Sequence, residues 1–304
     1  MAKLTLTGIS LTGYKGFAEN SKLAISPMTL VYGENSAGKS SLLRLVVSLA
    51  EAIRQTSRHA VLPIGSKSGG GFREIIGGKS KIELEFSFRT ADARPVTIAC
   101  VVQHFPESNA AKVVDFQLIE SEQQSFGLQL IATPDSGFIS KYTLTRHGNT
   151  PSVELVEFNG VLPYLVDSMG IRLPEESTTL IAVRNAMSDL SKFLIWVGPL
   201  RHSPPRDISL TPCPERFSQD GSNIVQLLHP SNPLGKDLVA FVSKWYERST
   251  KHILTVDTNV ANGHEVFTVL LSSTSSPHLI VPISEHGAGM AQVLPIVIAC
   301  GLAT

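Results

Sequence analysis

Cysteine is scarce in this chain. Its 304 residues include three, Cys100, Cys213 and Cys300, and no two stand in C-x-x-C spacing. That excludes the zinc ribbons and dense disulfide frameworks that closely spaced cysteines build. Reduced thiols in an intracellular protein are the expectation. Net charge is missing too, because 26 basic side chains balance 26 acidic ones. No bulk electrostatic footprint for nucleic acid exists, although a local basic patch is left open. The most apolar late run, residues 293–303, is too short to cross a bilayer. The opening Met-Ala-Lys-Leu-Thr-Leu-Thr-Gly lacks the pattern of a secretory signal. A cytoplasmic protein that does not engage a membrane is therefore expected. Sustained heptads are absent, which argues against long coiled coils. So is Asn-Lys-x-Asp, the guanine-specifying motif, which argues against a small GTPase.

What is present is concentrated in eight residues. Gly33-Glu34-Asn35-Ser36-Ala37-Gly38-Lys39-Ser40 matches G-x-x-x-x-G-K-[ST], the phosphate-binding P-loop. Its flanks fit. Residues 28–32 read as a buried strand and residues 41–47 as a helix with an apolar face. Gly33 and Gly38 permit backbone conformations closed to residues with a Cβ. The loop amides can then turn inward around phosphate oxygens, helped by the positive end of the following helix. Lys39 is expected on the β- and γ-phosphates. The Ser40 hydroxyl is expected on Mg²⁺, with Ser41 closing the motif. ATP with Mg²⁺ is the expected ligand.

Around this loop the chain reads as three segments. Residues 1–60 form a P-loop lobe: strands near residues 3–7 and 22–25, a Gly13-Tyr14-Lys15-Gly16-Phe17 turn between them, the P-loop, and a helix to about residue 58. Residues 61–176 form a β-rich insertion. It opens with a Gly, Ser and Lys-rich loop at 65–80, expected to be mobile. Strict alternation at 81–89 then predicts a strand wet on one face. Further strands are expected at 96–102, 113–119, 128–132, 142–145 and 153–158, together an antiparallel sheet. Residues 177–304 turn helical. A helix is expected at 180–193, an apolar strand at 195–201, and a helix capped by Ser222. A helix at 234–248 follows, then strands near 253–256, 266–271 and 279–283, and a last helix from about Met290.

Three features coincide: the Gly-Tyr-Lys-Gly-Phe hairpin, the P-loop, and the late run Pro282-Ile283-Ser284-Glu285-His286-Gly287-Ala288-Gly289-Met290-Ala291-Gln292-Val293-Leu294-Pro295. Together they resemble the ABC-class ATPases of the SMC and OLD type. More narrowly they resemble the stand-alone AAA-type ATPases of that branch, many of them encoded in bacterial anti-phage systems. Gly198-Pro199-Leu200-Arg201 also resembles a segment of that branch. The likeness covers both ends of the chain better than the middle. It implies an α/β fold, a P-loop NTPase head of ABC/SMC type with an inserted antiparallel sheet and a helical subdomain. It also implies two heads dimerising around two nucleotides. Ser284, Gly287 and Gly289 would be the signature residues, offering a hydroxyl and backbone amides to the γ-phosphate across the dimer. Lys15 and Phe17 would lie near ribose or adenine. Family members often carry Ser-Gln where this chain has Ala291-Gln292.

The resemblance also implies a strand ending in Asp and usually Glu, to bind Mg²⁺ and polarise water. It should follow the signature helix, where this sequence stops. The look-alikes at 254–257, 164–167 and 117–120 precede the signature and read as ordinary element ends. Three explanations stay open: the sequence is part of a longer chain, which is the expectation; a second polypeptide supplies the lobe; or ATP is bound and not hydrolysed. The expected role is an ATP-binding head that self-associates as a dimer or larger oligomer and controls an effector such as a nuclease. Two alternatives are a DNA-binding SMC-type repair ATPase and a non-hydrolysing ATP-sensing scaffold.

Overall fold

Residues 81–89 alternate charged or polar with apolar side chains. In the computed structural model they form a strand whose apolar members are all buried. The structure describes residues 4–54, 81–105, 110–121, 123–132, 139–174, 177–198, 200–209, 217–218, 221–261 and 264–302. The glycine-rich segment 65–80 lies outside them. The described chain divides into two compact units, residues 1–194 and 195–304. Both are mixed α/β.

The first unit is built on one antiparallel sheet. Its strands are β1 (Thr5–Thr12), β2 (Ser21–Ala24), β3 (Lys81–Arg89), β4 (Pro95–Phe105), β5 (Ala110–Glu120), β6 (Gln123–Ala132), β7 (Ile139–Arg146), β8 (Ser152–Asn159) and β9 (Leu162–Val166). They run in the order β2-β1-β3-β4-β5-β6-β7-β8-β9. The hairpin ahead of the P-loop and the middle strands thus share a single sheet, and β1 pairs directly with β3. Helices α1 (Lys39–Arg54) and α2 (Thr178–Phe193) touch each other. Their residues Leu45, Leu49, Ile53, Leu180, Val183 and Met187 share one core with Phe86, Ile98, Phe116 and Leu128 of the sheet. Fully burying a side chain of this size stabilises by about 1.5–3 kcal/mol. Two polar contacts lock the arrangement. Asn159 Nδ2 donates to the Ile53 carbonyl at the end of α1 (3.1 Å), and Ser177 caps α2 by accepting from the Leu180 amide (3.2 Å). Helix α2 therefore packs within this unit.

Residues 28–32 correct the expectation of a buried strand. They form no strand, and Met28, Leu30 and Tyr32 are 78, 80 and 92% exposed. A strand exists only where neighbours take up its N–H and C=O groups. Among the described residues no strand pairs with this segment, so its apolar run alone does not make one.

The second unit holds β10 (Ile208–Ser209), β11 (His252–Ala261), β12 (His264–Ser273) and β13 (Ser276–Pro282), with β12 paired to the other three. Helices α3 (Gly235–Thr250) and α4 (Ala288–Leu302) bury Leu238, Val242 and Tyr246, and Leu294, Val297 and Ile298, in a core with Phe267 and Leu271. Two expectations are corrected here. Residues 194–198 form no strand. Residues Ile224–Leu228 form a short 3-10 helix preceded by Asn223, with no side-chain cap, so Ser222 does not start an α-helix. The carboxylate look-alikes have local roles. Asp167 accepts from the amides of Met169 (2.9 Å) and Ile171 (2.8 Å). Glu120 accepts from Ser125 (2.8 Å) and Thr179 (3.0 Å). Asp257 sits in β11, opposite Thr268, and is exposed.

Candidate functional site

The loop at 33–38 has the conformation its sequence allows. Gly33 has φ 152°, Ser36 64° and Gly38 91°, three residues in territory that L side chains rarely enter. The Lys39 ammonium curls back over the loop and donates to the carbonyls of Gly33 (2.7 Å) and Glu34 (2.6 Å). Helix α1 starts at Lys39 itself, and its early bond runs from the Leu42 amide to the Gly38 carbonyl (3.0 Å). Residues 33–37 and Ser40 are exposed, while Lys39 and Ser41 are partly buried. A positive charge, outward-facing loop residues and a helix N-terminus therefore converge on one accessible spot, which is the requirement of an anion site. The donor set fits a nucleotide polyphosphate, and the exposed Ser40 hydroxyl is open to a cation held by it.

The hairpin turn reaches this loop. Gly13 (φ 77°) and Lys15 (φ 47°) bend it, and the Gly13 amide donates to the Phe17 carbonyl (2.7 Å). The Phe17 ring lies against Gly38 so closely that a Cβ there would sit 2.8 Å from Cζ. Gly38 is thus required twice, by its φ and by Phe17. Tyr14 is buried. Burial pushes its phenol pKa up, and the positive charge of Arg44 on α1 partly offsets this. The Lys15 ammonium is 5.9 Å from the Tyr14 ring centroid. Phe17 is therefore beside the P-loop, whereas Lys15 lies against Tyr14.

The late motif sits in the second unit. Ile283–Glu285 forms a 3-10 turn that leads into α4. Gly287 and Gly289 are exposed. A Cβ added to either would meet nothing within 4 Å, and neither has a positive φ. The turn does not need glycine to fold, so the bare backbone is available for close approach by something else. Among the described residues, Ser284 Oγ is buried without a hydrogen-bond partner. His286 stacks edge-on to His252, with ring centroids 5.5 Å apart.

The sequence did not show what holds this turn. Arg201 donates from Nε to the Gly198 carbonyl (3.0 Å) and from Nη1 to the Gln292 carbonyl in α4 (2.9 Å). Tyr246 Oη donates to the neighbouring Met290 carbonyl (2.6 Å). Arg206 pairs with Glu285 (3.3 Å), an exposed contact worth little. The one sequence signal was Pro295 inside the helix, which disturbs the carbonyls about one turn before it.

No protein-family model and no curated protein matches the chain. Two solved structures of the recombination mediator protein RecF of the RecFOR pathway resemble it. The one titled RecF-ATPrS aligns with 98% of this chain and 80% of its own, at 9% identity and a TM-score of 0.36. The one titled RecF-ATP aligns with 99% and 82%, at 12% identity and a TM-score of 0.34. A likeness of that extent carries no argument about this chain's ligand or partners. Among the described residues no helix is long and apolar enough to cross a membrane.

Proposed function

We propose that the protein is an ATP-binding head of the ABC/SMC-like class. The observation that carries this is the P-loop itself: Lys39 held over a loop with three positive φ values at the start of α1. The β- and γ-phosphates take the place of the Gly33 and Glu34 carbonyls as partners of the Lys39 ammonium. Amides of residues 34–40 surround them, and Phe17 lines the approach from the hairpin. Ser40 would hold Mg²⁺, which would supply charge neutralisation there.

The signature turn of a second copy contributes its share from outside. Gly287 and Gly289 expose backbone amides at the first turn of α4, where the helix dipole favours an anion. Ser284 brings a hydroxyl with no partner among the described residues. Nucleotide then acts as the glue of a head-to-head dimer, and engagement is the signal passed to an effector, such as a nuclease in anti-phage defence.

The test is titration of a fluorescent ATP analogue with Mg²⁺, alongside sedimentation with and without ATP. Lys39→Ala removes charge-assisted contacts worth about 1.5–3 kcal/mol each, so affinity should fall at least tenfold. Wild-type protein should self-associate only with nucleotide. An oligomer that forms without ATP and ignores Lys39→Ala would sink the reading.

A further inference from the structure

Helix α4 carries a proline at the start of its third turn. Pro295 has no N–H to give the carbonyl of Ala291, four residues back, and its ring crowds that turn. The carbonyls on either side of Ala291 are the ones that receive outside donors. Met290 accepts from Tyr246 Oη and Gln292 from Arg201. Tyr246 is fully buried in the core, so its donor is fixed in place. Arg201 bridges to the Gly198 carbonyl with its other nitrogen, so Gly198 is tied to the same turn. Gly221 packs directly against the proline. Gly221, at φ 72°, approaches so near that a Cβ would fall 2.5 Å from Pro295 Cβ.

We infer that Arg201 and Tyr246 form a clamp on the proline-weakened first turn of α4 and are positioning residues for the Gly287 and Gly289 amides. An unclamped turn of this kind frays, because a helix N-terminus already lacks partners for its first amides and Pro295 removes a further bond. The clamp holds the turn in one geometry while the glycines stay bare. Their role is to hold backbone, through the Met290 and Gln292 carbonyls. Arg201 acts through a fork of two donors that a lysine cannot reproduce.

This rests on the reading of the turn as the trans contact to nucleotide, and the experiment separates the two. Hydrogen exchange of peptides covering 287–294 is followed in the full chain for wild type, Arg201→Ala, Arg201→Lys and Tyr246→Phe. ATP-analogue affinity and ATP-dependent self-association are measured on the same samples. Exchange in that window should rise at least tenfold in Arg201→Ala and Tyr246→Phe, with Arg201→Lys in between. Association should weaken about tenfold or more, while ATP affinity at the P-loop stays within twofold. Unchanged exchange in both Arg201→Ala and Tyr246→Phe overturns the clamp. So does a loss of ATP affinity equal to the loss of association in Arg201→Lys, since that is general damage. If wild type fails to associate with ATP, the head-dimer reading fails, and the clamp is then decided by exchange alone.

Discussion

Glycines can be required by backbone, by space, or by neither, and the second unit contains both extremes. Gly221 has φ 72° and a Cβ position 2.5 Å from Pro295. Gly287 and Gly289 have neither constraint. Alanine at Gly221 should cost about 1–2 kcal/mol for the left-handed backbone, and overpacking against Pro295 should add about 1–3 kcal/mol. The sum, about 2–5 kcal/mol, is a large share of ordinary domain stability. Alanine at Gly289, inside the first turn of α4, should instead stabilise by up to about 1 kcal/mol, because glycine gives up more backbone entropy in a helix. Gly287→Ala should be close to neutral. Urea unfolding of the three variants provides the ranking. Association in ATP then separates stability from function: Gly287→Ala and Gly289→Ala should lose it while folding as well as or better than wild type. The reasoning is refuted if either variant unfolds as easily as Gly221→Ala. It is also refuted if both associate normally, because bare backbone would then serve nothing.

Two further predictions follow from exposure and burial in the first unit. Leu30→Ser should change stability by less than about 0.5 kcal/mol, as exposed positions do, and a loss above about 1.5 kcal/mol would mean that residues 28–32 form a buried strand after all. Cys100 is buried, and burial reinforced by the Asp115 charge raises its thiol pKa from 9.0 to about 12. It should resist a maleimide at pH 8, while the exposed Cys300 reacts, as peptide mapping will show. The linkage has a definite sign. Cys100 stays protonated in the folded state while the unfolded thiol ionises, so stability is full below about pH 9 and falls as pH rises towards 12. Burial moves Tyr14, Tyr142 and Tyr246 in the same direction, and alkaline unfolding should therefore begin above pH 9.

The P-loop and the late turn were legible to different degrees, for a physical reason. A P-loop is local. Its glycines, its lysine and the start of the helix it opens lie within eight residues, and the chemistry follows from that spacing. The period-two strands of the sheet were legible for the same reason, since each alternating run reports its own burial. Residues 28–32 failed because their pattern is only half of a strand. The other half is a neighbour, and sequence pattern says nothing about whether a neighbour comes. The clamp on α4 could not be read either. Arg201 and Gln292 are 91 positions apart, and the acceptor is a main-chain carbonyl, which every residue carries. Pro295 could have pointed there: a proline inside a helix leaves carbonyls short of donors, and donors must come from somewhere. The glycines of the late motif are distinguished only by their surroundings in the fold. A glycine in such a turn, Gly287 or Gly289, has two accounts, one structural and one functional. Open space around both, with ordinary backbone angles, removes the first account and leaves the second to be tested by alanine.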